Sequence, residues 1–127
     1  EKQIMPHVGK YHRVDKNTVS IVNGSDFHSV FCDPFALSVF VDFCQRLQPD
    51  IINLAGDVSD FYLISSYSKD PSRLIKLQQE IDYVKKIILF KLRVACPEAE
   101  INFFIGNHEW RLFKYLASEA PGLASLD

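Results

Sequence analysis

The stretch INFFIGNHEWRLFKYL, residues 101–116, contains the unit from which the whole chain is built. An apolar run reaches Gly106, polar residues follow, and an amphipathic run begins at Glu109. This order is typical of a buried strand, a turn and a helix. Turn chemistry accounts for Gly106 and Asn107, but not for the imidazole and carboxylate of His108 and Glu109. The stretch therefore predicts a strand and a helix joined by a turn that carries functional groups.

The same unit recurs upstream. Short apolar runs occupy residues 18–23 and 51–56, and each ends at or beside a glycine, which favours a buried strand. Between them, Asp33 and Pro34 have the residue types of a helix N-cap and of a first helical position. These features predict a second strand–helix unit before the central strand.

A long helix is predicted between the second and third strands. Pro71 and Ser72 are expected to open it, and Pro97 ends it. Its apolar positions recur at helical spacing at Leu74, Leu77, Ile81, Val84, Ile88 and Leu92. The predicted order along the chain is therefore βαβαβα.

The three predicted strands read as apolar throughout rather than alternating. Strands of that kind are buried on both faces, which indicates a mostly parallel sheet flanked by helices and an α/β fold. The chain of 127 residues is long enough for one domain with a hydrophobic core. Residues 1–17 are polar and aperiodic, so we predict a lead-in or linker there and a domain over residues 18–127.

Composition excludes some classes of function. A hydrophobic content of 47% and a formal charge of −2 are ordinary, and they give no overall attraction to nucleic acid or to an acidic membrane. No apolar run has the length of a membrane span. Cys44 and Cys96 lie in apolar helical patterns, where buried reduced thiols are expected. These features favour a cytoplasmic protein without a membrane partner.

Polar side chains follow each predicted strand. They are Asp26 and His28 after the first strand, Asp57 after the second, and Asn107, His108 and Glu109 after the third. Ligands of open α/β sheets bind beyond the carboxyl ends of the strands, so we expect these side chains to share one edge. Glycines at positions 24, 56 and 106 precede the three groups and let the backbone turn sharply. Taken singly, each residue also fits an ordinary turn.

The chemistry of the set points to metal. Carboxylate oxygens and imidazole nitrogens suit manganese, iron, zinc or similar ions. Asp26 and His28, two residues apart, are expected on one side of an extended strand end. Asp57, from the middle strand, is the natural bridge between two ions. Two such ions about 3.5–4 Å apart clamp a phosphate and activate a water molecule.

These residues match a known family. The segments Asp26-Phe-His28, Gly56-Asp57 and Gly106-Asn-His-Glu109 resemble the first three motifs of the calcineurin-like metallophosphoesterases. The resemblance covers roughly residues 18–118. The segments GDVSDFY (56–62) and KDPSR (69–73) look most like a subgroup common in phage and prophage genomes. The resemblance implies that residues 18–127 form half of a metallophosphoesterase sandwich.

The resemblance also implies a cofactor and its ligands. Two divalent ions such as manganese, iron or zinc are expected. Asp26 and His28 would hold the first ion, Asp57 would bridge both, and Asn107 would hold the second ion and touch the phosphate. The implied activity is hydrolysis of a phosphate ester, either a phosphomonoester or a phosphodiester of a nucleotide or nucleic acid.

Three further residues receive roles near the substrate. The resemblance implies that His108 protonates the leaving oxygen or stabilises charge, and that Glu109 orients its imidazole. Arg111 lies one helical turn beyond Asn107, where it either meets a substrate phosphate or pairs with Glu109 or Glu119.

One departure from the family leaves an alternative open. The family completes its metal site with later histidines, typically an isolated one and a Gly-His-x-His segment, and neither follows residue 109 here. We therefore expect either the amino-terminal part of a longer enzyme or a degenerate, non-catalytic binding module on the same fold. Such a module would bind its partner through the aromatic loop at residues 58–68.

The loop after Asp57 has two possible uses. Its aromatic residues either stack on a nucleobase or pack the loop on the sheet edge. Asp60 is expected to be a loop or outer residue rather than a ligand. Lys69 and Arg73 form a basic spot near the site or are simply solvated. The aromatic residues that either stack on a nucleobase or pack the loop are Phe61, Tyr62 and Tyr67.

Overall fold

The fold is a small parallel sheet with helices on one side, seen in a computed structural model that describes residues 17–125. The predicted lead-in therefore lies outside the described residues except for Asn17. The strands are β1 (Ile21–Gly24), β2 (Ile51–Ala55) and β3 (Glu100–Phe104). The α-helices are α1 (Pro34–Leu47), α2 (Leu77–Tyr83), α3 (Phe90–Ala95) and α4 (Glu109–Glu119). A π-helical segment, Val84–Leu89, joins α2 to α3, and short 3₁₀ turns occur at Ser29–Phe31, Tyr62–Ile64, Pro71–Arg73 and Pro121–Ser125.

The sheet confirms the predicted strand direction. Its order is β1-β2-β3, and both pairings are parallel. Val22 is in register with Ile52, and Ile52 with Ile101. The carboxyl ends of all three strands consequently meet at one edge of the sheet.

The prediction that the strands are buried on both faces is wrong. Val22, Ile52 and Leu54 are buried in the core with the helices. The alternate positions turn to the other face, where Ile21 and Phe104 are half exposed. In parallel sheets with helices on both sides such positions would be buried. Here one face of the sheet is left uncovered by the described helices.

Asparagines mark the uncovered face. Asn23, Asn53 and Asn102 occupy equivalent positions in the three strands. Asn53 Nδ2 donates to Asn23 Oδ1 at 2.9 Å, and Asn102 Nδ2 donates to Asn53 Oδ1 at 3.2 Å. This asparagine ladder crosses the whole sheet, and it explains why a polar residue interrupts each apolar run.

The first helix begins as predicted. The Asp33 carboxylate accepts hydrogen bonds from the backbone N–H groups of Phe35 at 2.8 Å and Ala36 at 3.2 Å, and Pro34 is the first helical residue. Cys44 of α1 and Cys96 after α3 are buried free thiols, as predicted. Burial, together with the neighbouring Cys96, raises the pKa of Cys44 to about 12.

The long helix begins later than predicted. Residues Pro71–Arg73 form only a 3₁₀ turn, whose first N–H group is bound by the Asp70 carboxylate, and the backbone is extended at Leu74. The Arg73 guanidinium lies over the rings of Phe31 and Tyr62, at 4.3 and 4.9 Å from their centroids, which ties this turn to the loops. Helix α2 therefore starts at Leu77, and Leu74 is exposed rather than buried.

The core lies between the inner face of the sheet and helices α1, α2 and α3. Its largest fully buried apolar side chains are Ile52, Leu54, Ile88 and Leu92. Among residues 17–125, no helix combines the length and the apolar character needed to cross a membrane.

The corrected helix start can be tested with the same substitution, leucine to alanine, at two positions. Leu92→Ala empties a fully buried site and should lower the free energy of unfolding by about 2–5 kcal/mol. Leu74→Ala acts on a side chain that is 53% exposed and should cost less than about 0.5 kcal/mol. Urea denaturation followed by circular dichroism measures both values. Equal losses would contradict the placement of Leu74 outside the core.

Candidate metal centre

The loops after β1 and β2 are paired through their backbones. The N–H groups of Asp26, His28 and Ser29 donate to the carbonyl oxygens of Gly56, Asp57 and Val58 at 3.1, 3.0 and 2.7 Å, respectively. The pairing continues the parallel alignment of the two strands beyond the point where the sheet ends. It holds the loop that carries Asp26 and His28 against the loop that begins at Asp57.

The loop after β3 joins them through two glycines. Gly56 has a φ of 94° and lies so near Gly106 that a Cβ on Gly56 would stand 2.9 Å from the Gly106 Cα atom. A Cβ on Gly106 would overlap the Asp57 carboxylate. The backbone N–H of His108 donates to Asp57 Oδ1 at 2.8 Å. Both glycines are thus required for the approach of one loop to another.

Glu109 binds the backbone where the loops after β2 and β3 meet, and not the His108 imidazole. Its buried carboxylate accepts hydrogen bonds from the backbone N–H groups of Gly106 (2.8 Å), Asp57 (2.9 Å) and Ser59 (2.7 Å). The role expected from the resemblance, orientation of the His108 ring, differs from this arrangement. The physical reason is that three backbone donors beyond the ends of β2 and β3 have no strand partner and need an acceptor.

Glu80 of α2 does the same for the outer part of the loops. Its side chain is 0% exposed, and Oε2 accepts from Ser29 Oγ (3.1 Å), Asp60 N (3.1 Å) and Phe61 N (2.7 Å). Sequence reasoning missed this residue. A signal existed, because position 80 falls on the apolar stripe between Leu77 and Val84, where a carboxylate is unexpected.

Backbone strain is concentrated in these loops. Among the described residues, six other than glycine have positive φ, and five of them are Asp26, His28, Ser29, Asp57 and Phe61. Such conformations cost on the order of 1–3 kcal/mol each and persist where surrounding contacts impose them. They also correct the prediction that Asp26 and His28 lie on one side of an extended strand end. Strand β1 ends before Asp26 and His28, whose left-handed backbones still bring Oδ1 and Nε2 to 3.9 Å.

A compact set of possible metal ligands lies at the centre of the three loops. His28, Asp60 and His108 each offer a ligand atom, and these atoms lie within 4.8 Å of one another. Asp60 Oδ2 is 3.4 Å from His28 Nδ1, and Oδ1 is 3.8 Å from His108 Nδ1. We call His28, Asp60 and His108 the central triad. Asp60, predicted to be a loop or outer residue, is its buried middle member.

The donor chemistry of the central triad fits a divalent ion. Two imidazoles and one carboxylate are ligands for zinc, manganese or iron. The Nδ1 atom of His28 is buried and has no hydrogen-bond partner in the described structure. A nitrogen in that position is satisfied when it binds a cation or when its proton reaches the nearby Asp60 carboxylate.

Arg111 fixes the protonation pattern of His108. Its Nη2 lies 3.1 Å from His108 Nε2, and its Nη1 donates to the Asp60 carbonyl oxygen at 2.9 Å. A guanidinium can only donate, so Nε2 accepts and the ring proton sits on Nδ1, which lies 3.1 Å from the Asp60 carbonyl oxygen. With both nitrogens engaged in this way, His108 would have to exchange one of these partners to bind a metal ion. Arg111 is therefore bound to Asp60 and His108 rather than to Glu109 or Glu119.

The other predicted ligands surround the triad at different depths. The Asp26 side chain is 65% exposed, and its Oδ2 accepts from Ser25 Oγ at 2.5 Å. Asp57 is partly buried and uses Oδ1 for the His108 N–H. Asn107 is exposed. All three lie at the same edge as His28, but within the described chain the compact group of ligands contains neither Asp26 nor Asp57.

The aromatic loop divides into packed and open parts. Phe61 is buried, and Tyr62 packs edge to face against Phe31 with centroids 6.3 Å apart. Packing is therefore the role of these two residues. Tyr67 differs, because 73% of it is exposed.

Comparisons of the chain with protein-family models, with curated proteins and with solved structures found no match.

The role of Glu109 can be tested against that of a second glutamate on the same helix. Glu109→Ala leaves three backbone donors unpaired and should lower the free energy of unfolding by about 3 kcal/mol or more, since each buried unpaired donor costs roughly 1–3 kcal/mol. Glu109→Gln keeps one oxygen acceptor, so its loss should be smaller. Chemical denaturation supplies the measurement.

Glu119→Ala is the matched control, because Glu119 is exposed at the other end of α4. It should change stability by less than about 0.5 kcal/mol. A Glu109→Ala protein as stable as this control would show that the three hydrogen bonds do not hold the loops together.

Proposed function

We propose that the protein hydrolyses phosphate esters with divalent metal bound at the edge formed by the three strand ends. The observation that carries the proposal is the central triad, in which two imidazoles flank one buried carboxylate. The resemblance of the surrounding motifs to calcineurin-like metallophosphoesterases supports the same reading. Neither a phosphomonoester nor a phosphodiester is favoured by this part of the site.

Different residues of the chain would hold the metal ions. His28 and Asp60 would hold an ion within the central triad, because His28 Nδ1 has no other partner and Asp60 is adjacent to it. Through the resemblance, Asp26 would join His28 at this ion, and a second ion would be held by Asn107 and by Asp57, which the two ions would share. When bound, a divalent ion polarises a phosphoryl oxygen and lowers the pKa of a water molecule.

His108 and Arg111 would act on the substrate. In the structure Nε2 of His108 accepts from Arg111. To protonate a leaving oxygen, the same nitrogen must carry a proton, so Arg111 has to move from the ring to the phosphate. A guanidinium suits that second partner, because its fork of donors matches two phosphate oxygens. Once Arg111 has moved, Nε2 would take up a proton from solvent water, and the resulting imidazolium would give that proton to the leaving oxygen.

The proposal is tested by metal binding and turnover together. The purified protein should bind Mn²⁺ in calorimetry and should hydrolyse bis(4-nitrophenyl) phosphate or 4-nitrophenyl phosphate only when metal is supplied. EDTA should abolish the activity. Asp60→Asn should weaken Mn²⁺ binding by at least about tenfold, as loss of a carboxylate at a metal site does. Asp57→Asn should lower kcat by about 10²–10³-fold, the loss typical of removing a charge-stabilising group.

Asp82→Asn is the control, since this exposed carboxylate on α2 pairs with Lys86 away from the site. It should leave Mn²⁺ affinity and kcat within about twofold of the parent protein, as surface changes generally do. Mn²⁺ binding without any turnover would contradict the hydrolytic part and favour a non-catalytic binding module. The absence of both would contradict the metal site itself.

A further inference from the structure

A cleft opens beside the central triad. It has a volume of about 540 Å³ and lies between residues 63–67 and helix α4. Asn107 and Arg111 form its inner end and belong at the same time to the strand-end site. Binding sites for small organic molecules have volumes of this order. An ester whose phosphate lies at the triad would therefore place its organic group in this cleft, which we call the side cleft.

Two cationic side chains line the side cleft, and one of them, Arg111, also pairs with Asp60. Arg111 and Lys114 both line it and lie three residues apart on α4, which puts them on one face of the helix. Glu119 lines the outer end, two helical turns from Arg111. A ligand with an anionic group at the inner end and a neutral group farther out matches this distribution.

The two walls carry open aromatic rings. Tyr67 lines the cleft from the loop and Tyr115 lines it from α4. They are 73% and 43% exposed, whereas Phe61 and Tyr62 are packed into the structure. A tyrosine ring that does not contribute to a core presents a face on which a planar base can stack.

The loop wall is held in shape by a lysine. Lys69 Nζ donates to Ser65 Oγ at 2.7 Å and to the carbonyl oxygen of Tyr67 at 2.6 Å, and it lies 5.5 Å from the centroid of the Tyr62 ring. These contacts account for Lys69, which is used to hold the loop rather than to form a basic spot. The wall that carries Tyr67 is thus arranged before a ligand binds, which reduces the cost of binding.

We infer that the side cleft binds the base and sugar of a nucleoside phosphate, stacked on Tyr67 and Tyr115 with its phosphate toward Arg111. The inference rests on the proposed hydrolysis of phosphate esters and names its substrate class. The nucleoside phosphate belongs either to a free nucleotide or to the end of a nucleic-acid strand. Both sources share the chemistry that the cleft recognises.

Two esters with the same leaving group test the inference. Thymidine 5′-(4-nitrophenyl phosphate) and methyl 4-nitrophenyl phosphate differ only in the nucleoside. In the parent protein with Mn²⁺, kcat/KM should be at least about tenfold higher for the thymidine ester, the size of one stacking contact. The ratio of the two values should fall at least about fivefold in Tyr67→Ala and in Tyr115→Ala. Tyr67→Phe keeps the ring and should keep the ratio.

Phe90→Ala is the control, because this residue of α3 is 62% exposed and lies outside the cleft. It should leave the ratio unchanged. A ratio near one in the parent protein, or a ratio that the tyrosine substitutions do not alter, would overturn the inference. Hydrolysis of neither ester would instead count against the proposed function.

Binding provides a readout that does not need turnover. Thymidine 5′-monophosphate should bind the Mn²⁺-loaded protein more tightly than methyl phosphate in calorimetry, and Tyr67→Ala should remove the difference. Equal affinities for the two phosphates would contradict the nucleoside-binding cleft even in an inactive protein. If oligothymidylate binds more tightly than the mononucleotide, the nucleoside phosphate that the cleft recognises belongs to the end of a nucleic-acid strand. Equal binding would show that a free nucleotide is recognised.

Discussion

Two buried carboxylates determine how the strand-end loops are held. Glu109 at the start of α4 and Glu80 in α2 each accept several hydrogen bonds from loops that follow other elements. Burying a carboxylate is costly unless it is hydrogen-bonded. Here each receives donors that have no strand or helix partner: both oxygens of Glu109 accept, and Oε2 of Glu80 accepts three hydrogen bonds while its Oε1 is buried without a partner. Charge-assisted bonds of this kind are stronger than neutral ones.

This arrangement leaves the functional side chains available. The glutamates bind backbone N–H groups and one serine hydroxyl, so that the loops are not held by the His28 imidazole or the Asp60 carboxylate; His108 does contribute, through Nδ1 and the Asp60 carbonyl oxygen. It also accounts for the left-handed backbone at Asp26, His28 and Asp57, since the bonds that fix the loops offset its cost.

The electrostatics of the edge favour a cation. Five carboxylates lie in or directly beneath the three loops, and Arg111 is the cation bound among them. They belong to Asp26, Asp57, Asp60, Glu80 and Glu109. Like charges at such spacing repel each other, and a divalent ion relieves that repulsion more effectively than screening by salt does. A bound cation would therefore reduce the repulsion among these carboxylates.

The sequence predicted the order of strands and helices because each element carries its own local signal. Asp33 and Pro34 mark the start of α1, and glycines mark the strand ends. The edge at which the polar groups gather was also predictable, since parallel strands direct their carboxyl ends to one side. The start of α2 was not, because the stacking of Arg73 on two distant rings holds residues 71–73 in a separate turn.

Individual roles in the site were harder to predict, because they depend on which loop lies against which. Glu109 follows His108 directly in the sequence, and adjacency suggested a partnership with its ring. In the fold the carboxylate turns to the backbone of Asp57 and Ser59, some fifty positions away. Asp60 was undervalued for a related reason, since no local pattern shows that two imidazoles converge on it.

The asparagine ladder connects the open face of the sheet to the site. Asp26, Asp57 and His108 meet only if the three strands end at corresponding positions along the strand direction. The register of the strands sets those positions. A slip of one residue would move the loop after β1 by about 3.3 Å along the sheet. It would also bring Asn23 out of line with Asn53 and break the pairing of the Asp26 N–H with Gly56. The same slip would turn Val22 away from the core and Asn23 toward it, so burial of the inner face and the amide bonds of the outer face favour one register together. The three asparagines therefore help to set the register that positions the strand-end loops, although none of them lies in the candidate site.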